Sequence, residues 1–222
     1  MSSKNFFLLV VFFFFILGSK SFAVLPFKQS KVISTGYSPN IKAVRGINFK
    51  PDGTRMYITN RISDTNENAR VTQYTLTTPF DISTAIDPVS TNLVGDGGSI
   101  PQLRLPHAIE FKPDGTRIFV TTNKDPTSVY QFKLTTPWDT TTLEFELRFT
   151  VDLTGAGNED QVRALAFKPD GTRMFVGGKD QDVIREYILT TPFDLSDVSV
   201  GAISTVDLED ACLLYTSPSP RD

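Results

Sequence analysis

An all-β fold assembled from tandem four-stranded antiparallel units is what this sequence predicts, and three observations carry the prediction. Two sequence blocks recur three times between residues 44 and 194. Each copy breaks into short runs with large apolar residues at every second position, the period of a strand with one buried face. Gly and Pro punctuate those runs at turn spacing, and no stretch carries a helical period. Tandem four-stranded units of this kind describe a β-propeller. The 222 residues supply three units, so the predicted fold is a β-propeller fragment forming an open arc, because closed rings hold about four to eight blades.

Residues 1–23 stand apart from that pattern. They open Met1-Ser2-Ser3-Lys4, run apolar from Phe6 to Leu17, and hold seven of the eighteen phenylalanines. A basic start, a twelve-residue apolar run and small residues at Ser21 and Ala23 make the anatomy of a secretory signal peptide. The run is short for a bilayer span, which needs about 20 residues. The mature protein is expected to begin near Val24, secreted or periplasmic; the competing reading is a retained membrane anchor. Residues 24–43 follow as an N-terminal segment. Within it Lys31–Gly36 reads as a lone fourth strand, of the kind that completes the last blade of a closed ring.

The three units span residues 44–105, 106–161 and 162–211. Their first block reads Val44-Arg-Gly-Ile-Asn-Phe-Lys-Pro-Asp-Gly-Thr-Arg-Met-Tyr57, Pro106-His-Ala-Ile-Glu-Phe-Lys-Pro-Asp-Gly-Thr-Arg-Ile-Phe119 and Val162-Arg-Ala-Leu-Ala-Phe-Lys-Pro-Asp-Gly-Thr-Arg-Met-Phe175. The second ends in Thr-Thr-Pro-Phe/Trp-Asp at Asp81, Asp139 and Asp194. The innermost strand of each unit ends at Phe49, Phe111 or Phe167, a spacing of 62 and then 56 residues, close to the kelch-type repeat length. Pro-Asp-Gly then makes a tight turn, since Pro presets φ, Asp bonds its own backbone and Gly supplies positive φ. Second strands follow at Met56–Thr59, Ile118–Thr121 and Met174–Gly177, and third strands at Val71–Leu76, Val129–Leu134 and Ile184–Leu189. The Thr-Thr-Pro-aromatic-Asp loop leads to a fourth strand, as at Phe145–Val151 and Val200–Val206. Gly46, Ala108 and Ala164 are small where blades crowd the central axis.

The last eleven residues, Cys212–Asp222, break every preceding pattern and resemble the in-frame translation of a sequencing adapter. On that reading they are an artefact and the chain is truncated in mid-fold. Unpaired first and last blade faces are then expected to make residues 24–211 poorly soluble or oligomeric.

The Phe-Lys-Pro-Asp-Gly-Thr-Arg-Met-Phe-Val string of residues 167–176 resembles the YVTN-type and lactonase-like seven-bladed propellers, and more loosely the TolB-like repeats. With the repeated Thr-Pro-Phe-Asp loops, it is nearest to marine bacterial and phage propeller proteins. The resemblance covers residues 44–210 and implies the propeller fold; propellers serve as enzymes and as binding platforms.

Repetition marks what every blade needs to fold. Asp52, Asp114 and Asp170, with Arg55, Arg117 and Arg173, flank a turn common to all units, so they are assigned to the turn and to exposed ion pairs. Phe80, Trp138 and Phe193 are assigned as plugs under their loop. Function is sought where the copies differ, in the loops at the opposite blade end: 60–70, 122–128 and 178–182, with 92–106 and 152–161. There Arg45, His107 and Arg163 occupy equivalent positions beside the predicted funnel. Converging, they would bind carboxylate or phosphate; alternatively each pairs with a loop acid such as Asp96, Glu159 or Asp160. Asp64, Asn66 and Asn68 alternate like a calcium loop, but Ala69 and Thr75 stand where that motif needs Gly and Glu.

Composition narrows the function classes. Residues 24–211 carry 19 Lys+Arg against 24 Asp+Glu, a net charge of −5, and no basic tract. Nucleic acid and anionic membrane surfaces are therefore not expected partners. One cysteine, in the tail, excludes a disulfide framework, and one histidine leaves little for a triad. No nucleotide, cofactor or hydrolase fingerprint occurs, so no cofactor and no catalytic residue is assigned. The expected function is a binding module for protein or carbohydrate; the alternative is a lactonase-like or other hydrolytic propeller completed by further blades.

Overall fold

The structure is a computed structural model that describes residues 43–61, 69–94, 103–122, 127–151, 162–178, 183–198 and 204–207. Every described residue belongs to one compact unit, within Lys31–Asp222. The expected signal peptide at 1–23, the expected lone strand at 31–36 and the tail at 212–222 lie outside the described residues. Among those described, no helix is long and apolar enough to cross a membrane.

Among the described residues, twelve strands form three antiparallel sheets, and the fold is the propeller fragment that the repeats predict. The first sheet runs β1 (Ala43–Phe49), β2 (Arg55–Arg61), β3 (Ala69–Leu76), β4 (Ala85–Asn92). The second runs β5 (Pro106–Phe111), β6 (Arg117–Thr122), β7 (Ser128–Leu134), β8 (Leu143–Thr150). The third runs β9 (Ala164–Phe167), β10 (Arg173–Gly177), β11 (Val183–Ile188), β12 (Ser204–Asp207). Each is a meander in which sequence neighbours pair, and β1 lies beside β5 and β5 beside β9, so the innermost strands line up side by side.

Alternation along each strand gives every blade two faces. Tyr57 and Val71 point from the first blade toward the second and meet Ile109, Phe111, Ile118 and Phe132 in one apolar cluster. Phe119 and Val129 repeat the arrangement one blade on, against Leu165, Met174, Tyr187 and Phe193. We call the face carrying Tyr57 and Phe119 the trailing face and the opposite one the leading face. Burying one such side chain contributes roughly 1.5–3 kcal/mol, so these two interfaces hold the row of blades together.

The two loops at one blade end lock to each other. Gly53, Gly115 and Gly171 take φ of 71°, 74° and 73°, and Phe80, Trp138 and Phe193 lie over them so closely that a Cβ would overlap the rings. Glycine thus serves twice, in conformation and in clearance. The aromatic amides donate to Gly53, Gly115 and Gly171 carbonyls, each at 3.0 Å. To do so, Phe80, Trp138 and Phe193 adopt left-handed φ of 57°, 64° and 56°, a strain of about 1–3 kcal/mol each that the packing and hydrogen bond offset. Asp81, Asp139 and Asp194 then cap short 3-10 turns at Ile82–Thr84, Thr140–Thr142 and Leu195–Asp197, which strand periodicity had not predicted.

Candidate functional site

At the opposite end, where the loops differ, the innermost strands begin with irregularities. β1 shifts register between Val44 and Gly46, so Arg45 is an extra residue against β2. β5 shifts between Pro106 and Ile109, which puts His107 and Ala108 in the same situation. Such bulges bend a strand and re-aim its side chains. Threonines satisfy the displaced amides: Gly46 N–H donates to Thr59 Oγ1 at 2.8 Å, and Ala108 N–H to Thr121 Oγ1 at 2.9 Å.

The two bulges meet. Thr59 Oγ1 donates onward to the His107 carbonyl at 2.6 Å, and a Cβ on Gly46 would overlap that same carbonyl oxygen. Only glycine lets β1 approach β5 this closely. The side chains meet as well: Arg45 Nη1 hydrogen-bonds His107 Nε2. Arginine has no acceptor, so in this contact the guanidinium is the donor. His107 is buried and Arg45 half-buried.

Arg163 sits just before β9 in the third blade, its amide donating to the Gly177 carbonyl at 2.9 Å. Its side chain is exposed. Of the three predicted site residues, the structure brings Arg45 and His107 into contact, and Arg163 stands at the corresponding strand entrance one blade further. The loop acids Asp96, Glu159 and Asp160, and the calcium candidates Asp64, Asn66 and Asn68, lie outside the described residues. Among the described residues, no group of three His, Cys, Asp or Glu is placed to hold a metal ion.

At the constant end, the recurring acids serve their turns. Asp52, Asp114 and Asp170 each accept from the hydroxyl and amide of the threonine two residues on, and each pairs with the preceding lysine at 2.6–2.8 Å. Lys50 and then Thr54 hold Asp52 down at about 2; Lys168 and Thr172 depress Asp170 likewise. For Asp194 burial pulls the other way, but hydrogen bonds from Ser196 and the charge of Arg117 together outweigh it, and the net shift is downward.

The recurring arginines do more than serve turns. Arg55 Nη1 donates to the Trp138 carbonyl of the next blade at 2.8 Å, joined by Tyr57 Oη at 2.7 Å. Arg117 repeats this toward Phe193 O and Asp194 Oδ2, both at 3.0 Å. Gln73 Oε1 accepts from Thr140 N at 3.0 Å, and Gln131 Oε1 from Leu195 N at 2.8 Å. Together these form a latch in which one blade grips the aromatic-Asp loop of the next. Sequence reasoning passed over Gln73 and Gln131; a polar residue recurring inside an apolar third strand was the available signal. Beside this latch Lys112, Thr116, Arg117, Lys133 and Glu146 line a shallow open cavity of about 320 Å³, where Arg117 Nε already pairs with Glu146 at 3.0 Å.

No known protein family and no curated protein matches the chain. Solved structures do. A protein from Lactobacillus plantarum aligns with a TM-score of 0.50 at 15% identity, over 75% of this chain and 42% of that one. The periplasmic gluconolactonase of Pseudomonas aeruginosa aligns at 0.46 and 16% identity, over 75% and 41%. A β-propeller domain from Myceliophteria thermophila aligns at 0.44 and 12% identity, over 74% and 43%. The chain therefore spans about two fifths of the length of the solved chains it resembles, and at these identities the likeness concerns fold alone.

Proposed function

We propose that this protein is a secreted or periplasmic propeller that acts as a binding module through its variable loop end, with Arg45, His107 and Arg163 forming an anion-receiving rim. The observation that supports this reading is the contact between Arg45 and His107 across two blades. Two bulges re-aim them toward one place, and neither is needed for the strand pairing that carries them. The ligand class is a carboxylate or phosphate displayed on a protein or carbohydrate, since guanidinium groups receive both with paired donors. Nucleic acid and membrane surfaces are not proposed, given the net negative charge of residues 24–211.

Titration calorimetry with inorganic phosphate and with gluconate tests it. Saturable binding of either, weakened roughly tenfold or more by Arg45→Ala and retained in a Lys133→Ala control, which removes an exposed cation at the other blade end, supports the reading. Absence of binding to both, or binding indifferent to Arg45→Ala, contradicts it. The lactonase-like alternative predicts accelerated hydrolysis of an aldonolactone by the same preparation.

A further inference from the structure

The innermost strands differ at one position that the repeats align. Opposite the second-strand aromatics, and so on the trailing face, stand Asn48 against Tyr57, Glu110 against Phe119 and Ala166 against Phe175. A residue that every blade needs for packing recurs; an amide, a carboxylate and a methyl do not. Glu110 is half-buried. Its carboxylate accepts from Asn48 Nδ2 at 3.1 Å, across the seam between the first two blades, and the same amide nitrogen also donates to the Ile109 carbonyl at 3.2 Å. Among the described residues, no lysine, arginine or histidine forms an ion pair with Glu110.

Holding a carboxylate there costs stability. A half-buried charge without a cation is desolvated more than it is compensated. Burial accordingly pushes the Glu110 carboxyl above its usual range, and the Asn48 hydrogen bond counters this only in part. A glutamine would accept the same bond, so packing gives no reason for the charge. Glu110 shares its seam with the anion-receiving pair. The Arg45–His107 and Asn48–Glu110 contacts both bridge β1 and β5, three residues apart on each strand. At about 3.3 Å per residue they lie on the order of 10 Å apart along the strands, less what the bulges take up. A permanent cation thus stands at the variable end of the seam, and a carboxylate without a counter-ion lies further in.

We propose that the seam between β1 and β5 takes a ligand of two opposite charges, with a carboxylate or phosphate at Arg45 and an ammonium a few bonds away at Glu110. The inference rests on the anion-receiving reading of Arg45 and narrows it from any anion to one that carries an amine. Arg45 gives the anion paired donors. Glu110 accepts from the ammonium, while Asn48 keeps its bond to the same carboxylate. An ammonium that leaves water for a half-buried position recovers its solvation from a charged acceptor, so neither the Asn48 amide nor the methyl of Ala166 would replace Glu110.

Titration calorimetry of the full chain with triglycine and with N-acetyltriglycine tests this, since acetylation removes the ammonium and leaves the carboxylate. The wild type is expected to bind triglycine roughly tenfold or more tightly than the acetylated peptide, and Glu110→Gln to bring the two affinities within about twofold. Urea unfolding at about pH 7 separates this role from a structural one: Glu110→Gln keeps the acceptor, removes the desolvated charge and is expected to be at least as stable as the wild type. Equal affinity of the wild type for the two peptides overturns the proposal; if Arg45→Ala then weakens both, the anion reading stands without it. A preference for triglycine that Glu110→Gln leaves intact overturns it too. Binding of neither peptide overturns it as well, and the phosphate and gluconate titrations then decide the anion reading by themselves.

Discussion

Arg117 of the second blade donates through Nη1 to the Asp194 carboxylate of the third, 3.0 Å away, and the same nitrogen reaches the Phe193 carbonyl. Both side chains are mostly covered, at 23% and 18% exposure, so solvent screens the pair less than a surface ion pair. Arg117→Met keeps the stem and removes the donors. It is expected to cost about 1–3 kcal/mol in urea unfolding, the range for leaving covered acceptors unpaired. Arg173→Met is expected to cost less than about 1 kcal/mol, because Arg173 is 44% exposed.

Gly46 is a point of close approach between the first two blades. Its missing Cβ is where the His107 carbonyl lies, with Thr59 Oγ1 2.8 Å from the same position. Backbone cannot yield cheaply there, so Gly46→Ala is expected to destabilise by about 1–3 kcal/mol. It should also break the Thr59–His107 bond, which exchange of the Ala108 and Ile109 amides would report.

Gly115 tests the loop lock separately. An alanine there must hold a φ of 74° and push Trp138 off the turn. A loss of at least about 1 kcal/mol is expected, together with a red shift of emission from Trp138, the only tryptophan, as it loses its stack on Phe111 at 5.0 Å.

Acid should loosen these turns and caps before it disturbs the strands. Asp52 sits at about 2 and Asp114, Asp139 and Asp194 below the usual 3.8. A carboxylate depressed in the folded state stabilises above its unfolded value, and that contribution disappears as pH falls through the folded value. The urea midpoint is therefore expected to hold from about pH 7 to about pH 5 and to fall between about pH 4 and about pH 2. A midpoint constant to pH 2 would show that these bonds contribute nothing.

Much of this fold was legible because its signals are local. Period-two alternation placed β3 and β7 to within two residues, and Pro-Asp-Gly located three turns whose aspartates bond as that chemistry predicts. Alignment of the repeats also pointed to the small residue at Gly46. What stayed hidden is what lies between blades. Repeats align Arg55 with Arg117 within their own turns, and nothing in that alignment says that each side chain crosses to the following blade. The left-handed backbone of Phe80, Trp138 and Phe193 was hidden for a related reason. Aromatic residues seldom adopt it, and here the glycine across the turn makes room. The bulges at Arg45 and His107 leave no mark in periodicity, since one extra residue in a short strand reads as a strand one residue longer.

Trp138 offers the most direct test that the blades are latched into one structure. Its carbonyl is held by Arg55 and Tyr57, at the interface of the first and second blades, while Gln131 latches the second to the third. Urea unfolding followed by Trp138 emission and by far-ultraviolet circular dichroism should give coincident transitions. Gln131→Ala should move both to lower urea by the same amount. Noncoincident transitions, or a Trp138 transition that Gln131→Ala leaves in place, would mean that the blades fold as separate sheets and that the latch does not join them.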